Sequence, residues 1–430
     1  MEFGTLAQLI ARFKDLGATR IFCKHLSEND NSKQQVYLGS NFEVLSFFPY
    51  GDIAAYSELK QPNFKAPLDF FWVDSQQIEL AKDTQLILYP AYPEVRLSGF
   101  LSGCKSAPSQ NMKQVTKLSR RGFDGRVLVF GTTKDGRTLA YLAIENSQIA
   151  LELLKIFSVT PKIGLFLELT LPIGSSTNRA SVLEALKRIH EEGFLSSRRM
   201  SSSGESIAYK ARNGGGYTLE ALLGIIPNSD AEPDYLGWEI KAYSRSRITL
   251  MTSEPDGGYY GEKGAKAFVL NYGHKTSNDT RYFTGNHLAN RKCKTTGMTL
   301  RIFGFNPEDP GKIDVTGSIC LVDAQGKNAA SWSFAQLLSH WNRKHAFAAY
   351  VPYTSHGNSS CYLYESPILM GEHTDFTRYI NALYSGYIAF DPASKVTRTQ
   401  NGSKVKVRSQ FRSSVKNLSF LYEVFNSEKI

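Results

Sequence analysis

The pattern of apolar residues changes near residue 165, and this change constrains the fold of the chain more than any other feature. Before that point, short runs of β-branched and aromatic residues alternate with Gly, Pro, Asn and Asp, as in QQVYLG, TQLILYP and RVLVFGTT. Such runs with frequent turn signals are typical of an all-β barrel or sandwich. Lys134, Asp135 and Gly136 predict a hairpin turn, because Asp-Gly readily adopts the positive φ angles of tight turns.

After that point, helix and strand patterns are mixed. SVLEALKRIHEEG has Ser181 and Glu184 at capping-box spacing and Gly193 as a stop, which predicts a helix. TLEALLGI and WSFAQLLSHWNRK also predict helices, whereas YLGWEIKAY and RITLMT predict strands. The small polar run IGSSTNRA is typical of a domain junction. We therefore predict an all-β domain, a linker and an α/β domain over residues 1–165, 166–177 and 178–430.

The charge balance points to a polyanionic partner. The chain has 50 Lys and Arg residues and 40 Asp and Glu residues, so its formal net charge is 50 − 40 = +10. This charge favours nucleic acid over acidic proteins as a partner. With 42% hydrophobic and 21% charged residues, the chain has enough apolar material for cores, and this composition excludes disorder as the main state. Basic surfaces also occur on proteins that never bind DNA, so charge alone does not assign a function.

The cysteines and the N-terminal residues limit the cellular location. The five cysteines are widely spaced and lack a Cys-x-x-Cys pair, so we expect reduced, structural thiols. MEFGTLAQLIARFKDLG resembles an amphipathic helix and lacks the apolar core of a signal peptide. No run approaches 18 apolar residues, so we expect a cytoplasmic protein without membrane association.

One short motif combines acidic and basic residues. Asp234, Glu239 and Lys241 occur in the order P-D-x(4)-E-x-K. Glu239 and Lys241 are two residues apart, so on a strand both side chains project from the same face. Mg²⁺ prefers oxygen ligands, lowers the pKa of a bound water and neutralises charge on a phosphate. We therefore predict that Asp234 and Glu239 bind Mg²⁺ and that Lys241 lies beside the attacking water, with Glu220 on the preceding helix as a further metal ligand.

The motif is short, and a solvated strand face with an ion-paired glutamate explains the same residues. The Gly-rich turn and helix before it and the basic charge balance favour a nuclease. A P-loop, a Cys/His zinc cluster and a Gly-x-Ser-x-Gly elbow are all absent from the sequence.

The segment that contains EEGF, GGGYTLEALLG, PDYLGWEIKAYS and GEKGAKAFVLNYGH resembles the MvaI/BcnI group of type II restriction endonucleases, which have PD-(D/E)xK cores. The resemblance covers residues 178–430 and implies a restriction-endonuclease-like fold. By position it implies an acidic helix residue, two metal ligands and a catalytic lysine at Glu220, Asp234, Glu239 and Lys241. SSRRMSSSGESIAYKARNGGG is longer than the corresponding family segment.

The first domain resembles the EcoRII-like effector domains, which are DNA-binding pseudobarrels of the plant B3 type, in RIFCKHLSENDNSKQQVYLG and EVRLSGFLSG. The resemblance implies two DNA-gripping arms, residues 24–35 and 105–117. The implied DNA contacts are Lys24, Asn29, Gln35, Lys105, Asn111, Lys113 and Lys117. Together the two resemblances imply a monomeric type IIE enzyme that binds double-stranded DNA at two sites, cleaves CCWGG or a close variant and has a companion DNA methyltransferase.

Residues 392–416 contain seven Lys and Arg residues and no Asp or Glu. Such a run is commonly a solvated loop, but a nuclease needs basic residues for phosphates and arginine for guanine. Arg412 matches an arginine of the MvaI group and is our candidate base reader, and Lys404, Lys406 and Arg408 are assigned to phosphates. His274 is a further candidate for a base-edge contact.

Two other functions remain compatible with the sequence. One is a modification-dependent or repair nuclease whose first domain senses an altered base. The other is a non-catalytic, sequence-specific DNA-binding protein. Clustered acidic residues argue against the second, because they repel phosphate and are of no use to a protein that only binds DNA.

Overall fold

The chain folds as two units, Met1–Thr177 and Asn178–Ile430. The structure is a computed structural model, and it describes most of the chain. The described residues are 3–27, 30, 34–113, 125–160, 162–169, 175–211, 213–226, 233–277, 279–357, 360–400 and 402–430. No described helix has the length and apolar character needed to cross a membrane. All the cysteines are free thiols, as the sequence predicts.

The first unit contains two β-sheets with helices. Its helices are α1 (Leu6–Asp15) and α2 (Gln148–Val159), and a 3-10 helix spans Phe42–Phe47. Its strands are β1 (Ala18–His25), β2 (Gln35–Gly39), β3 (Ala54–Tyr56), β4 (Asn63–Pro67), β5 (Asp69–Val73), β6 (Ile78–Leu80), β7 (Gln85–Tyr89), β8 (Glu94–Ser98), β9 (Val127–Thr133), β10 (Arg137–Ala143) and β11 (Phe166–Glu168). The sheet orders are β11-β1-β9-β10-β5-β6 and β2-β8-β7-β4-β3.

The predicted hairpin is present, but the predicted all-β barrel is only partly supported. β9 and β10 pair antiparallel across a turn in which Gly136 has φ +89°. The described strands form two sheets, and neither is a closed barrel. Both helices bury apolar residues at helical spacing in the core of the six-stranded sheet, Leu9 and Phe13 from α1 and Leu153 from α2. The unit is therefore not all-β, because each helix covers apolar residues on one sheet face.

The second unit is mixed α/β, as predicted. Its helices are α3 (Ser175–Glu191), which begins just before the unit boundary, α4 (Gly214–Leu222), α5 (Gly258–Tyr272), α6 (Phe334–Lys344) and α7 (Phe376–Tyr384), and a 3-10 helix spans Val415–Leu421. Its strands are β12 (Leu195–Ser196), β13 (Arg198–Met200), β14 (Ser206–Ala208), β15 (Glu239–Tyr243), β16 (Arg247–Thr252), β17 (His274–Ser277), β18 (Thr280–Thr284), β19 (Thr299–Phe305), β20 (Ile313–Val322), β21 (Asn328–Ser333), β22 (Phe347–His356), β23 (Cys361–Tyr364), β24 (Ile368–Glu372), β25 (Ile388–Phe390), β26 (Ala393–Thr399), β27 (Gly402–Lys406), β28 (Gln410–Ser414) and β29 (Val424–Glu428).

The largest sheet of this unit contains β15, the strand predicted from YLGWEIKAY. Its order is β12-β23-β22-β24-β29, and β15 pairs parallel with β22. The other sheets have the orders β16-β28-β25, β17-β18-β26-β27, β19-β20-β21 and β13-β14. Ile240 of β15 lies in a core cluster with Val182 and Leu186 of α3 and Leu219 of α4. This packing fixes β15 between a neighbouring strand and two helices.

Helix α3 begins earlier than its capping-box pattern predicts. The helix starts at Ser175, so Ser181 lies inside it rather than at its N-terminus. The predicted start is wrong because it was placed where the apolar periodicity begins, at Val182. Val182 is buried and lies inside the helix, which extends further toward the N-terminus through mainly polar residues. The predicted stop is close to the observed one, because α3 ends at Glu191 and Gly193 has φ +75°.

Lys24 is part of a buried ion pair in the first unit. Its ammonium lies 2.6 Å from the Asp30 carboxylate, and the two side chains are 3% and 1% exposed. The same carboxylate accepts hydrogen bonds from the backbone N–H groups of Ser27 and Tyr37, at 2.8 and 2.9 Å. The predicted phosphate contact at Lys24 is therefore not supported, because its charge is buried and neutralised within the fold.

We expect Lys24→Ala to destabilise the protein by about 3–5 kcal/mol, because it leaves the Asp30 carboxylate buried without its counter-ion. Urea unfolding measures the effect. Lys113→Ala, at an exposed lysine, is the control and should change stability by no more than about 0.5 kcal/mol. An unchanged unfolding midpoint in Lys24→Ala would contradict the structural role of the pair.

Candidate active site

β15 places Glu239 and Lys241 on the same face of the sheet. Glu239 pairs with Ala348 and Lys241 with Tyr350 of β22. Ile240, between them, points to the opposite face and is buried in the core. The predicted shared face is therefore observed, and the core packing of Ile240 sets its orientation.

Glu239 and Lys241 form an ion pair in this site. The Lys241 ammonium donates a hydrogen bond to Oε1 of Glu239, and the two side chains are 18% and 3% exposed. The second oxygen of Glu239, Oε2, is buried and has no hydrogen-bond partner among the described residues. A buried carboxylate oxygen without a partner is costly, so this oxygen is positioned to accept a cation or a hydrogen-bond donor.

A tight turn brings Asp234 back to the same strand. Tyr235 and Trp238 exchange backbone hydrogen bonds at 3.0 and 2.9 Å, and Gly237 between them has φ +82°. This conformation favours glycine, because a Cβ is strained there. The turn lets Oδ2 of Asp234 accept a hydrogen bond from the backbone N–H of Ile240 at 3.1 Å. The carboxylate therefore lies at the beginning of β15, beside Glu239.

The charges in this site change the proton affinity of each group. Burial and then the neighbouring Glu239 raise the pKa of Asp234 to about 7. Burial alone would also raise the pKa of Glu239, but Lys241, followed by His345 and Lys344, lowers it to about 2. Burial opposes the charge on Lys241, yet Glu239 and then Asp234 raise the pKa of its ammonium group. At neutral pH, Lys241 is therefore a cation.

Helix α4 carries Glu220 and is packed closely at its N-terminus. A Cβ on Gly215 would lie 2.3 Å from the Tyr353 ring, so only glycine fits there without movement. Thr218 Oγ1 accepts a hydrogen bond from the backbone N–H of Arg198 and donates one to its carbonyl, at 3.0 and 3.1 Å. Burial and then Glu239 raise the pKa of Glu220, whereas Lys241 lowers it. Glu220 therefore interacts electrostatically with the charged face of β15.

The carboxylates fit an oxygen-preferring divalent cation in part. Among the described residues, no group of three or more His, Cys, Asp and Glu side chains is arranged to bind a metal ion. Asp234 and Glu239 nevertheless supply two mutually repelling carboxylates, one of which has an unpartnered buried oxygen. A divalent cation would neutralise this repulsion and provide a partner for that oxygen.

His345 and Lys344 lie near the site although the sequence did not identify them. His345 Nε2 lies 2.9 Å from the Leu250 carbonyl oxygen, and its ring stacks on Trp341 at 4.2 Å between centroids. Burial, and then Lys241, lower the pKa of His345 to about 3, so the ring is neutral. Lys344 is the last residue of α6 and His345 is its C-cap, and no spacing motif marks either residue. Only the packing of α6 brings them to β15.

The DNA-binding candidates of the second unit lie in or beside two sheets, β17-β18-β26-β27 and β16-β28-β25. Lys404 and Lys406 are exposed on the same side of β27, and Arg408 is exposed after that strand. His274 is exposed at the first position of β17. Arg412 lies on β28, and its Nη1 donates a hydrogen bond to Oδ2 of Asp391 at 2.9 Å. Arg412 therefore occupies a structured environment that the exposed lysines lack.

The DNA-binding candidates of the first unit are only partly described. Asn29 and Lys117 lie outside the described residues. Gln35 accepts a hydrogen bond from Arg96 at 3.2 Å. The exposed candidates are Lys105, Asn111 and Lys113.

Hydrogen bonds anchor the segment that contains these exposed residues. Arg126 Nη1 donates to the carbonyls of Asn111 and Lys113 at 2.7 and 3.1 Å. The Glu79 carboxylate accepts from the backbone N–H groups of Lys105 and Ser106 at 2.9 and 2.8 Å. The backbone is thus held to the unit while the Lys105, Asn111 and Lys113 side chains remain exposed.

Comparison with known proteins gives a family for the second unit. A family profile described as the MvaI/BcnI restriction endonuclease family matches residues 183–422, which is more than half of the chain. The chain is similar to the restriction endonuclease MvaI bound to its cognate DNA substrate, with 19% identity, a TM-score of 0.46 and coverage of 58% of this chain and 97% of that one. For MvaI in the absence of DNA, the identity is 17% and the TM-score is 0.32, with coverage of 57% of this chain and 94% of that one. No curated protein sequence matches the chain.

We expect Asp234→Asn to stabilise the metal-free protein at alkaline pH. The pKa of Asp234 rises from 3.8 to about 7 on folding, so ionising this carboxyl opposes folding increasingly between these pH values and fully above them. Asparagine removes this charge and keeps an oxygen for Ile240. The gain should be on the order of 1–4 kcal/mol at pH 8 and near zero at pH 4.

Thermal unfolding in EDTA at the two pH values measures this difference. Asp279→Asn, at an exposed carboxylate, controls for the general loss of one negative charge. Equal stability of Asp234→Asn and wild type at pH 8 would show that the carboxylate is not destabilised in the fold.

Proposed function

Because the chain belongs to the MvaI/BcnI restriction endonuclease family and is therefore a DNA-cleaving restriction enzyme, we propose that it is a Mg²⁺-dependent, type IIE-like endonuclease. It would hydrolyse phosphodiester bonds in double-stranded DNA at a short site, CCWGG or a close variant. The observation that carries the proposal is the convergence of Asp234, Glu239 and Lys241 at the start of β15, inside the region that matches the family.

Asp234 and Glu239 would hold Mg²⁺, with Glu220 as the third acidic group. When bound, the ion would lower the pKa of a water molecule and neutralise charge on the scissile phosphate. The carboxylates are suited to this task because their mutual repulsion raises the pKa of Asp234 to about 7, after the larger effect of burial. Glu220 interacts with Glu239 and Lys241 through its charge and would complete the acidic set from α4.

Lys241 would act as a cation rather than as a general base. Its pKa is raised by Glu239 and Asp234 despite burial, so Nζ keeps its proton at neutral pH. A protonated Nζ can donate hydrogen bonds to the attacking water and to a phosphate oxygen, which orients the water and stabilises negative charge in the transition state. Glu239 Oε1 holds this ammonium in place before DNA arrives.

The remaining candidates of the second unit would bind the DNA. Lys404, Lys406 and Arg408 are exposed and suited to phosphate contacts, which strengthen binding regardless of sequence. Arg412 is held by Asp391 and would read a guanine, and His274 would contact a base edge. In this proposal the exposed cations supply affinity, and Arg412 and His274 supply recognition.

The first unit would be a B3-like effector that binds a second DNA duplex. Lys105, Asn111 and Lys113 support this role because their side chains are exposed on an anchored segment. Gln35, Asn29 and Lys117 are further proposed contacts. A monomer with two DNA sites would concentrate its nuclease near one duplex while it holds another. A companion DNA methyltransferase would protect the host DNA from cleavage.

Plasmid digestion tests the function and its alternatives. Unmodified and methylated plasmids are incubated with the full chain in Mg²⁺ or in EDTA, and the DNA ends are mapped by sequencing. The proposal requires Mg²⁺-dependent cuts at one short sequence of unmodified DNA. Cuts restricted to methylated or damaged plasmid would instead identify a modification-dependent or repair nuclease. Sequence-specific binding without cleavage would identify a non-catalytic DNA-binding protein.

We expect Asp234→Ala and Glu239→Gln to abolish cleavage and to leave specific DNA binding measurable. Each change removes a proposed metal ligand, whereas groove contacts come from other residues. Cleavage of plasmid and binding to a cognate duplex in Ca²⁺ measure the two effects separately. Asp309→Asn, at a half-exposed carboxylate outside the site, is the control. Cleavage by either site variant at the wild-type rate would refute the catalytic assignment.

We expect Lys105→Ala combined with Lys113→Ala to reduce the stimulation of cleavage by a second DNA site. The double variant removes two phosphate contacts from the effector while the nuclease remains intact. Cleavage rates of one-site and two-site plasmids measure the stimulation as a ratio. Lys60→Ala, at another exposed lysine of the first unit, should keep the wild-type ratio. An unchanged ratio in the double variant would leave the effector role without support.

A further inference from the structure

Two arginines of the second unit share one carboxylate. Arg247 is the first residue of β16, Arg412 lies on β28, and Asp391 directly follows β25. Nη1 of Arg247 and Nη1 of Arg412 lie 3.2 and 2.9 Å from the same oxygen, Oδ2 of Asp391. Two guanidinium groups that would otherwise repel each other are therefore held side by side.

The backbone beneath these side chains is fixed by the β16-β28-β25 sheet. Arg412 pairs with Thr249 on one side and with Ala389 on the other. The backbone N–H of Asp391 donates to the Gln410 carbonyl at 2.8 Å. The adjacent residues Phe390 and Phe411 pack with each other and with Trp332. The two arginines thus project from paired strands, and the backbone hydrogen bond to Gln410 ties Asp391, just outside β25, to β28.

Arg247 and Arg412 both line a pocket of about 220 Å³. Asn286, Tyr387 and Asn417 also line it, whereas Asp391 does not. The Nε of Arg412 is buried and has no hydrogen-bond partner among the described residues. A guanidinium has five N–H donors, and the ion pair with Asp391 uses only part of them. The two arginines that line this recessed space therefore have more donors than the ion pairs with Asp391 use.

The chemistry of the cluster favours hydrogen-bond acceptors on a base over a phosphate. Asp391 cancels one of the two positive charges, which weakens attraction to phosphate but fixes the direction of the donors. Guanine offers two acceptors, N7 and O6, that match the planar fork of an arginine. Phosphate contacts do not need such support, and exposed lysines such as Lys404 and Lys406 are sufficient for them. A carboxylate between two arginines is thus suited to discrimination between bases.

We propose that Arg247 joins Arg412, whose guanine contact is already part of the proposed function, in one recognition site for the N7/O6 edges of guanines in DNA, and that Asp391 is the positioning residue for both. The proposal rests on the proposed function, because it needs a DNA duplex bound to the second unit. It assigns a specificity role to Arg247, which follows the catalytic strand by a few residues, and it explains why Asp391 is placed between two cations.

The test measures binding of the full chain to duplexes of equal length in Ca²⁺. The cognate duplex carries the site mapped by plasmid digestion, the random duplex lacks it, and further cognate duplexes carry 7-deazaguanine at one guanine each, which removes N7. We expect Arg247→Ala to weaken cognate binding by about 10-fold or more and random binding much less. A 7-deazaguanine that weakens wild-type binding should have little further effect on Arg247→Ala if Arg247 contacts that guanine.

Asp391→Asn tests the positioning role with a side chain of the same shape. We expect weaker cognate binding and unchanged or tighter random binding, because one negative charge near DNA is lost. A purely structural role would instead reduce both affinities together with the unfolding temperature. Lys404→Ala is the matched control and should weaken both duplexes equally. Arg247→Lys keeps the charge without the planar fork and should discriminate as poorly as Arg247→Ala, which protects the test against misfolding of one variant.

Equal loss of cognate and random binding in Arg247→Ala, or an undiminished 7-deazaguanine effect at every guanine, would overturn the guanine site. Wild-type discrimination by Asp391→Asn would overturn its positioning role. If the wild-type chain cleaves no plasmid and binds cognate and random duplexes equally, the proposed function fails. If the wild type prefers the cognate duplex and Arg247→Ala prefers it to the same extent, only the guanine site fails.

Discussion

The buried ion pair between Glu239 and Lys241 is the interaction on which the candidate active site depends. Transferring two charges from water into a protein is expensive, and the cost is offset only when they are paired with good geometry. β15 provides this geometry because its alternation directs both side chains to one face while Ile240 anchors the other face in the core. The packing of the second unit thereby keeps a charged site in a largely buried position.

The ion pair does not satisfy all of the negative charge that the fold gathers there. Asp234 is brought beside Glu239 by a turn, and Glu220 adds a further acidic group from α4. Burial, and then the negative charge of Glu239 that Lys241 offsets only in part, raise the pKa of Asp234, and one oxygen of Glu239 has no partner among the described residues. An excess of buried acid is unfavourable for stability and useful for binding a cation. Groups with such perturbed pKa values are common at functional sites.

Charge pairing has a different consequence in each of three places in this chain. Lys24 and Asp30 are almost fully buried and bind each other and the local backbone, so they stabilise the first unit. Glu239 and Lys241 leave one oxygen unsatisfied, which favours a catalytic role. Asp391 is shared by Arg247 and Arg412, which both line a pocket, and the two ion pairs use only part of the donors of these arginines. The number of unsatisfied donors and acceptors, more than the presence of an ion pair, distinguishes an ion pair with a structural role from one suited to a function.

The sequence by itself determined the elements whose signal is local. It predicted the hairpin at Gly136, the strand of Glu239 and Lys241 and the shared face of their side chains, because a turn and an alternation of period two are properties of neighbouring residues. The tertiary structure alone decided the features that depend on distant segments. Lys24 is buried because Asp30 and Tyr37 fold back on it, His345 reaches β15 only through the packing of α6, and Arg247 meets Arg412 only because β16 pairs with β28. Burial and charge pairing between residues far apart in the chain leave no periodic trace in the sequence, because any well-packed arrangement of these residues would produce the same local pattern.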